Sequence, residues 1–297
     1  MTAKILDGRT LAAEIRAEIN ASVVEMQGNH HITPGLAAVL VGDDPASGIY
    51  VRNKRRASEE VGMFTKTFEL PSESSTAAVL EQVQALNANS QFHGILVQLP
   101  LPSQVDQDQI IEAINPNKDV DGIHPYNIGK LVQGRPDFIP GTPGGVQQLL
   151  LRNGHDPAGA NVVICGRSEI VGKPLAALLM QRQKGGNATV TVCHTQTRDL
   201  TQVTKHADIL VAAMGRPNSI TADMVKNGAV VVDVGINRVE DATRKRGYRL
   251  QGDVDFEPVA AKAKAITPVP GGVGPMTVAM LLVNTLTAAR ISIHGRR

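Results

Sequence analysis

Asn161-Val-Val-Ile-Cys165-Gly166-Arg167-Ser168-Glu169-Ile170-Val171-Gly172-Lys173-Pro174 is the stretch on which the fold turns. A short apolar run ends at Cys165, a glycine follows at once, and a second glycine and a proline open the apolar segment Leu175 to Met180. A buried strand that runs through a tight turn into a helix is the first unit of a nucleotide-binding α/β fold. Small residues at such a turn let a phosphate reach backbone N–H groups at the positive end of the helix. The spacing is not G-x-G-x-x-G, so the turn has little specificity taken alone. Charge sharpens it. A cofactor with a free 2′-hydroxyl usually meets Asp or Glu near the tip of the next strand, but that tip reads Cys193-His194-Thr195-Gln196. With no acid there and Arg167 nearby, a 2′-phosphate is the better ligand, which predicts NADP over NAD. The other reading is a surface arginine beside a turn.

Working outward, the pattern predicts further strands at Thr189 to Cys193, Ile209 to Ala213 and Ala229 to Val234, with a helix or helical loop between each pair. Four short buried strands at that pitch make a doubly wound nucleotide-binding domain. Upstream, Ile139-Pro-Gly-Thr-Pro-Gly-Gly145 is punctuated by proline and glycine and marks the neighbourhood of a domain boundary. Before it, helical spacing from Thr10 to about Gln27 precedes a strand at Gly35 to Val41, a helix from about Ser47 to Val61, and a strand at Phe64 to Leu70. A helix at Thr76 to Leu86 and a strand at Gly94 to Leu99 complete the series. This βαβαβ order predicts a parallel sheet with helical crossovers. A last helix, Pro275 to about Arg290, follows Pro270-Gly-Gly-Val-Gly and comes after the second sheet is complete, so it is expected to pack back on the first domain.

Composition sets the outer limits. The chain has 297 residues, 30 Lys plus Arg against 28 Asp plus Glu, and a formal charge of +2. That balance disfavours a polybasic nucleic-acid or membrane-surface module. With no Trp, three Tyr and five Phe, the core must be aliphatic, and stacking on single-stranded bases is disfavoured. The two cysteines, Cys165 and Cys193, lie inside apolar runs and read as small core residues in a reducing compartment. The start, Met-Thr-Ala-Lys-Ile-Leu-Asp-Gly, lacks the apolar region of a signal peptide, and no stretch approaches the roughly 18 apolar residues of a membrane span. The expected location is the cytoplasm. The mixed-charge run Glu240 to Arg246 reads as a solvated loop or hairpin.

Three segments can carry chemistry. In Tyr50-Val-Arg-Asn-Lys54-Arg-Arg56 a phenol and an amine are i and i+4, so they share one helical face. A lysine serves acid–base chemistry when burial or a neighbouring cation favours its neutral form, and Arg55 and Arg56 are candidate neighbours. The same pattern also reads as an exposed basic face. Gln98 ends an apolar strand, where open α/β sheets place their sites, although a strand-end glutamine also serves as a loop anchor. Lys118-Asp-Val-Asp121-Gly122 has too few hard ligands for a metal. At least one of its carboxylates is expected in a turn, while Asp121 can grip the amidine-like edge of a heterocycle. None of the eight histidines forms a ligand-spaced group, and no metal site is expected.

Taken together, these segments resemble the bifunctional methylenetetrahydrofolate dehydrogenase/methenyltetrahydrofolate cyclohydrolase (FolD) family over nearly the whole chain. The motifs are Val41-Gly-Asp-Asp-Pro-Ala-Ser47 leading to Tyr50-x-x-x-Lys54, Gly94-Ile-Leu-Val-Gln-Leu-Pro-Leu-Pro102, and Lys118-Asp-Val-Asp-Gly122 with His124-Pro-Tyr-Asn127. Gly166-Arg-Ser-x-x-Val-Gly-x-Pro174 and Pro268-Val-Pro-Gly-Gly-Val-Gly-Pro-Met-Thr277 complete the set. The resemblance implies NADP-dependent oxidation of 5,10-methylenetetrahydrofolate and hydrolysis of the methenyl product to 10-formyltetrahydrofolate. It implies an N-terminal three-layer α/β folate-binding domain (1–139 plus 275–297) and a Rossmann-type doubly wound NADP-binding domain (140–274).

Carried over by motif, Lys54 is the acid–base residue, Gln98 holds and tunes it, Tyr50 orients the folate and Asp121 binds the pterin. Gly272 and Pro275, in the Gly271 to Thr277 loop, would line the substrate cleft. Gly166, Arg167, Ser168, Thr195 and Ile236 would hold the cofactor. A homodimer joined through the nucleotide-binding domain is implied, and the cluster Arg52, Lys54, Arg55 and Arg56 is a candidate attractor for a polyglutamate tail. Two positions depart from the family pattern: Gly141 stands where a Cys is usual, and Thr195 where a Ser is usual.

Overall fold

The computed structural model describes residues 3–244 and 247–294. The chain begins with strand β1 (Lys4–Ile5) and helix α1 (Gly8–His30), then β2 (Gly35–Val41), α2 (Pro45–Glu60), β3 (Phe64–Leu70), α3 (Thr76–Ala88), β4 (Gly94–Val97), α4 (Gln107–Ala113) and α5 (Pro125–Val132). It continues through α6 (Gly141–Arg152), β5 (Asn161–Cys165), α7 (Gly172–Leu179), β6 (Thr189–Cys193), α8 (Leu200–Thr204), β7 (Ile209–Ala212) and β8 (Val230–Asp233). Strands β9 (Asn237–Glu240) and β10 (Tyr248–Gln251), helix α9 (Phe256–Ala260), strand β11 (Ala265–Ile266) and helix α10 (Val273–His294) complete it. The chain forms two compact units, one of residues 13–141 with those from 278 onward, the other of residues up to 12 with 142–277.

The first unit holds a three-stranded parallel sheet in the order β3-β2-β4. Every residue of β2 is buried, because helices cover both faces of the central strand. On one face Ala37, Val39 and Ile95 pack with Val79, Val83 and Leu86 of α3. On the other Leu36, Ala38 and Leu96 pack with Val51 of α2 and with Leu281 and Ala288 of α10. The C-terminal helix therefore packs on the first sheet, as expected from the sequence. By length and composition α10 is also apolar enough to cross a membrane, so the expectation that no segment reaches that mark does not hold. Its interior placement explains the composition: Leu282, Thr285 and Ala289 are buried, and Asn284 Nδ2 donates to the carbonyls of Val120 (2.8 Å) and Ile139 (2.9 Å).

The second unit is built on a six-stranded sheet in the order β1-β11-β8-β7-β5-β6, parallel throughout. Residues up to 12 were expected with the folate domain. They join this unit instead because β1 pairs with β11, Lys4 opposite Ala265 and Ile5 opposite Ile266. Strand β6 is an edge, and its first four residues are partly or fully exposed, whereas a buried strand was predicted. The glycine-rich boundary segment is also different: α6 begins at Gly141 and runs through Pro143, Gly144 and Gly145. Pro143 sits in the first helical turn, where its missing N–H has no intrahelical acceptor to serve. Gly145 is buried where a Cβ would lie 2.9 Å from Met276 Cβ. Helix α10 starts at Val273, two residues before the expected Pro275. The mixed-charge run forms the turn of the antiparallel β9–β10 hairpin, with Lys245 and Arg246 outside the described residues.

Candidate active site and cofactor cavity

In the first unit the chain leaves central strand β2 toward β3 on one side, while β4 pairs on the other. Divergence of that kind opens a crevice at the carboxyl ends of the strands. Helix α2 starts there, capped by Asp44, whose Oδ2 accepts the Ser47 N–H at 2.7 Å. One turn in stands exposed Tyr50, and four residues later comes Lys54. The Lys54 ammonium donates to Gln98 Oε1 at 3.1 Å. Gln98 is itself fixed, its backbone N–H donating to Val39 O (2.9 Å) and its Nε2 to Leu99 O (2.6 Å). Arg55 and Arg56, the cations expected near Lys54, are each paired one turn along, with Glu59 (3.3 Å) and Glu60 (3.0 Å). Two of the four cations of the basic cluster are thus ion-paired.

The two carboxylates of the Lys118 to Gly122 segment have separate tasks. Asp119 is buried and accepts the N–H groups of Gly122 (3.1 Å), Ile123 (3.3 Å) and His124 (2.9 Å) and the Asn127 amide (2.8 Å). It is the turn-forming residue. Asp121 retains some accessible surface although protein packs densely around its carboxyl. Loss of solvation raises its pKa to about 6, the Lys54 ammonium pulls in the opposite direction, and the Asp119 charge pushes it further up. Lys54, Gln98 and Asp121 thus form one group: an amine on a fixed amide beside a carboxylate whose ionisation falls within the working range of an enzyme. Tyr50 stands on the same helix.

Four of the five residues expected to hold a cofactor, Gly166, Arg167, Ser168 and Thr195, line a cavity of about 230 Å³ at the carboxyl ends of β5, β6 and β7, again where the sheet order diverges. Gly166, Arg167, Ser168, His194, Thr195, Met214 and Arg216 line it, above the two thiols. Gly166 has φ +138°, and a Cβ there would lie 2.1 Å from Ala213 O. At Gly172 a Cβ would lie 2.0 Å from Gly166 O, so the turn closes only on glycines. Among the described residues, two arginines and no carboxylate line the cavity, a wall suited to a phosphorylated dinucleotide. Met214 and Arg216 were missed from the sequence. Their signal, a Gly two residues beyond the end of a predicted strand, is too common to single out. Ile236 lies apart from this cavity, 45% exposed and facing Gly274, where a Cβ would be 3.5 Å from its Cδ1. Gly272 and Pro275 belong to this second unit, separately from Tyr50 and Asp121. Gly272 is buried and donates its N–H to Pro268 O at 2.8 Å.

A parallel sheet with a glycine-closed strand-to-helix turn beside an arginine-lined cavity, on a chain that also holds an amine–amide–carboxylate group, defines a two-unit nucleotide-dependent α/β enzyme. Comparison with known proteins narrows the class. Residues 6–121 match the tetrahydrofolate dehydrogenase/cyclohydrolase catalytic domain, and residues 140–293 the NAD(P)-binding domain of the same enzymes. A bifunctional protein FolD from Syntrophus aciditrophicus is 53% identical over 98% of this chain and 99% of its own length. The crystal structure of the FolD methylenetetrahydrofolate dehydrogenase/cyclohydrolase of Campylobacter jejuni superposes with a TM-score of 0.92 at 45% identity, covering 98% of this chain and 99% of that one. The Trypanosoma brucei N5,N10-methylenetetrahydrofolate dehydrogenase-cyclohydrolase, complexed with NADP cofactor and inhibitor, gives 0.94 at 38% identity over 99% of each chain. The chain belongs to the tetrahydrofolate dehydrogenase/cyclohydrolase family, and residues 140–293, which include most of the second unit, match its NAD(P)-binding domain.

Proposed function

We propose that Lys54, held by Gln98 and facing Asp121, is the acid–base group of the two reactions of this enzyme: oxidation of 5,10-methylenetetrahydrofolate with NADP, and hydrolysis of the resulting 5,10-methenyltetrahydrofolate to 10-formyltetrahydrofolate. The observation that carries this reading is the 3.1 Å hydrogen bond from Lys54 Nζ to Gln98 Oε1 in the crevice at the end of the first sheet. Bound NADP supplies the hydride acceptor. In that step the protein's task is orientation of the reacting carbon. Asp121 accepts two hydrogen bonds from the amidine-like edge of the pterin, and Tyr50 sets the orientation of the folate. Gly272 and Pro275 line the substrate cleft. Arg167, Ser168 and Thr195 hold the phosphate end of the cofactor, Gly166 lets it approach the backbone, and Ile236 contributes an apolar contact.

Hydrolysis makes a different demand. The methenyl carbon is a cationic amidinium centre that water attacks, and the step needs a base for the water and a proton for the departing nitrogen. The Lys54 amine takes one proton from water as its oxygen bonds to the methenyl carbon and returns it to the departing nitrogen; as that C–N bond breaks, the remaining hydroxyl proton leaves to solvent and the formyl C=O forms. Gln98 Oε1 keeps the amine in place through both events, since an amide oxygen accepts a hydrogen bond from either protonation state.

The test is a paired assay on purified protein. Methylenetetrahydrofolate is supplied with NADP or NAD while reduced cofactor and methenyl absorbance are followed, and methenyltetrahydrofolate is then supplied alone. NADP reduction with methenyl loss faster than in buffer is expected. Accumulation of methenyl product would leave a dehydrogenase alone. The chain is further proposed to act in the cytoplasm, where two buried free thiols stay reduced, and as a homodimer joined through its nucleotide-binding unit. A mass in solution of one chain would overturn the latter.

A further inference from the structure

Asp253 is fully buried between β10 and α9, yet its carboxylate meets four N–H donors rather than a paired cation. Oδ2 accepts the backbone N–H groups of Met214 (2.5 Å) and Gly215 (2.8 Å), and Oδ1 accepts those of Arg216 (3.0 Å) and the Asn237 amide (2.8 Å). Three successive backbone N–H groups converging on one anion form a nest, and burying them without an acceptor would leave three donors unpaired. Gly215, at φ +67°, supplies the left-handed residue of this turn.

Neighbouring residues are arranged around the same carboxylate. A Cβ at Gly235 would lie 2.2 Å from Asp253 Oδ1. Asp233, at the end of β8, braces the backbone from beneath: its Oδ1 accepts the Asp253 N–H (3.0 Å) and its Oδ2 the Val254 N–H (2.9 Å). A Cβ at Gly252 would lie 1.9 Å from Asp233 Oδ2. The turn so held follows β7, and two of its residues, Met214 and Arg216, line the cavity that also contains Gly166, Arg167, Ser168 and Thr195.

We propose that Asp253 is a positioning residue for cofactor recognition: it fixes the Met214 to Arg216 turn so that the Arg216 guanidinium stands on the cavity wall and contacts a phosphate of NADP. The proposal rests on the reading of this cavity as the cofactor site. Arg216 is the contacting group and Asp253 acts through it. Replacing the carboxylate by an amide leaves one acceptor and turns an N–H2 group toward backbone donors, so the nest opens while the side-chain volume is kept.

The experiment compares Asp253→Asn, Arg216→Gln and Asp208→Asn with wild type. KM for NADP is measured at saturating methylenetetrahydrofolate, NADPH dissociation by fluorescence titration, and Tm by calorimetry. Asp208 serves as the structural control: it lies at the other end of the sheet, accepts the Asn161 N–H at 2.9 Å and pairs with Lys226 at 2.6 Å. Asp253→Asn and Arg216→Gln are each expected to raise KM for NADP and the NADPH dissociation constant roughly tenfold, with kcat within about twofold of wild type. Asp208→Asn is expected to lower Tm while leaving both constants unchanged.

A lower Tm with an unchanged NADP KM in Asp253→Asn would reduce the residue to a structural role and overturn the proposal. So would an Arg216→Gln enzyme that binds NADPH like wild type. If Asp253→Asn fails to fold, Arg216→Gln decides, together with Asp253→Ala assayed with added formate, which refills the nest and is expected to lower KM for NADP again. Wild-type protein that binds no NADPH would instead defeat the cofactor reading itself.

Discussion

Lys54 on α2 and Gln98 at the end of β4 are joined by a 3.1 Å hydrogen bond between residues 44 apart in sequence. Gln98 has no freedom to follow the lysine, because its own N–H and Nε2 are committed to Val39 O and Leu99 O. One turn further along the same helix, Ser58 Oγ donates to the Lys54 backbone carbonyl at 2.9 Å. The amine is therefore positioned by groups that a substrate does not need to displace.

Lys54→Met is expected to abolish methenyl hydrolysis, by roughly a hundredfold or more, while slowing hydride transfer less, because only the hydrolysis needs a proton taken and returned. Rates of the two half-reactions measured separately on one preparation check this. Equal loss of both, with folding and folate binding intact, counts against the assignment.

Asp121 links substrate affinity to pH. It must be ionised to accept two hydrogen bonds, and burial holds its pKa near 6, so KM for folate should rise as pH falls through about 6, approaching tenfold per unit below it. Stability moves the other way. The folded pKa lies above the ordinary 3.8, so this group's contribution is full below about 3.8 and is lost as pH rises through about 6. Asp121→Asn should remove both trends, the first at the cost of weaker binding. A wild-type KM that is flat from about pH 5 to pH 8 would falsify the pterin-binding role.

Gly166→Ala places a Cβ 2.1 Å from Ala213 O at a φ of +138°. The strand-to-helix turn has to open to admit it. A stability loss of about 2 kcal/mol or more is expected, with weakened NADPH binding, as read by calorimetry and fluorescence titration. Unchanged Tm and affinity would mean that the turn tolerates a side chain.

Cys165 and Cys193 lie directly opposite each other on β5 and β6. Burial pushes the Cys165 thiol up to about 12 and raises that of Cys193 as well, so neither forms an appreciable thiolate at neutral pH. A disulfide reagent should leave both thiols unmodified in the native protein and titrate both in denaturant. Rapid labelling of native protein would contradict this.

Local pattern was sufficient for several of the strands. Strands at Gly35–Val41, Phe64–Leu70, Asn161–Cys165 and Thr189–Cys193 have the boundaries their composition predicts, because the apolar period and the breaker lie within the same few residues. The candidate positions Tyr50, Lys54, Gln98 and Gly166 to Ser168 stand out in the sequence as well, since spacing on one helix or at one strand end is a local property.

Tertiary packing decided the rest. Two-residue β1 has no pattern of its own and exists because β11 offers an edge. Helix α6 persists through Gly141, Pro143, Gly144 and Gly145 because burial of this segment outweighs its poor helical propensity. Nothing in Lys118-Asp-Val-Asp-Gly122 indicates which carboxylate builds the turn and which faces Lys54. Asp253 shows the same limit more fully: an aspartate in a short polar segment binds a turn 37 to 39 residues earlier in the chain. Propensity and periodicity act between neighbours along the chain, whereas a hydrogen bond between distant residues depends on where the sheets bring them.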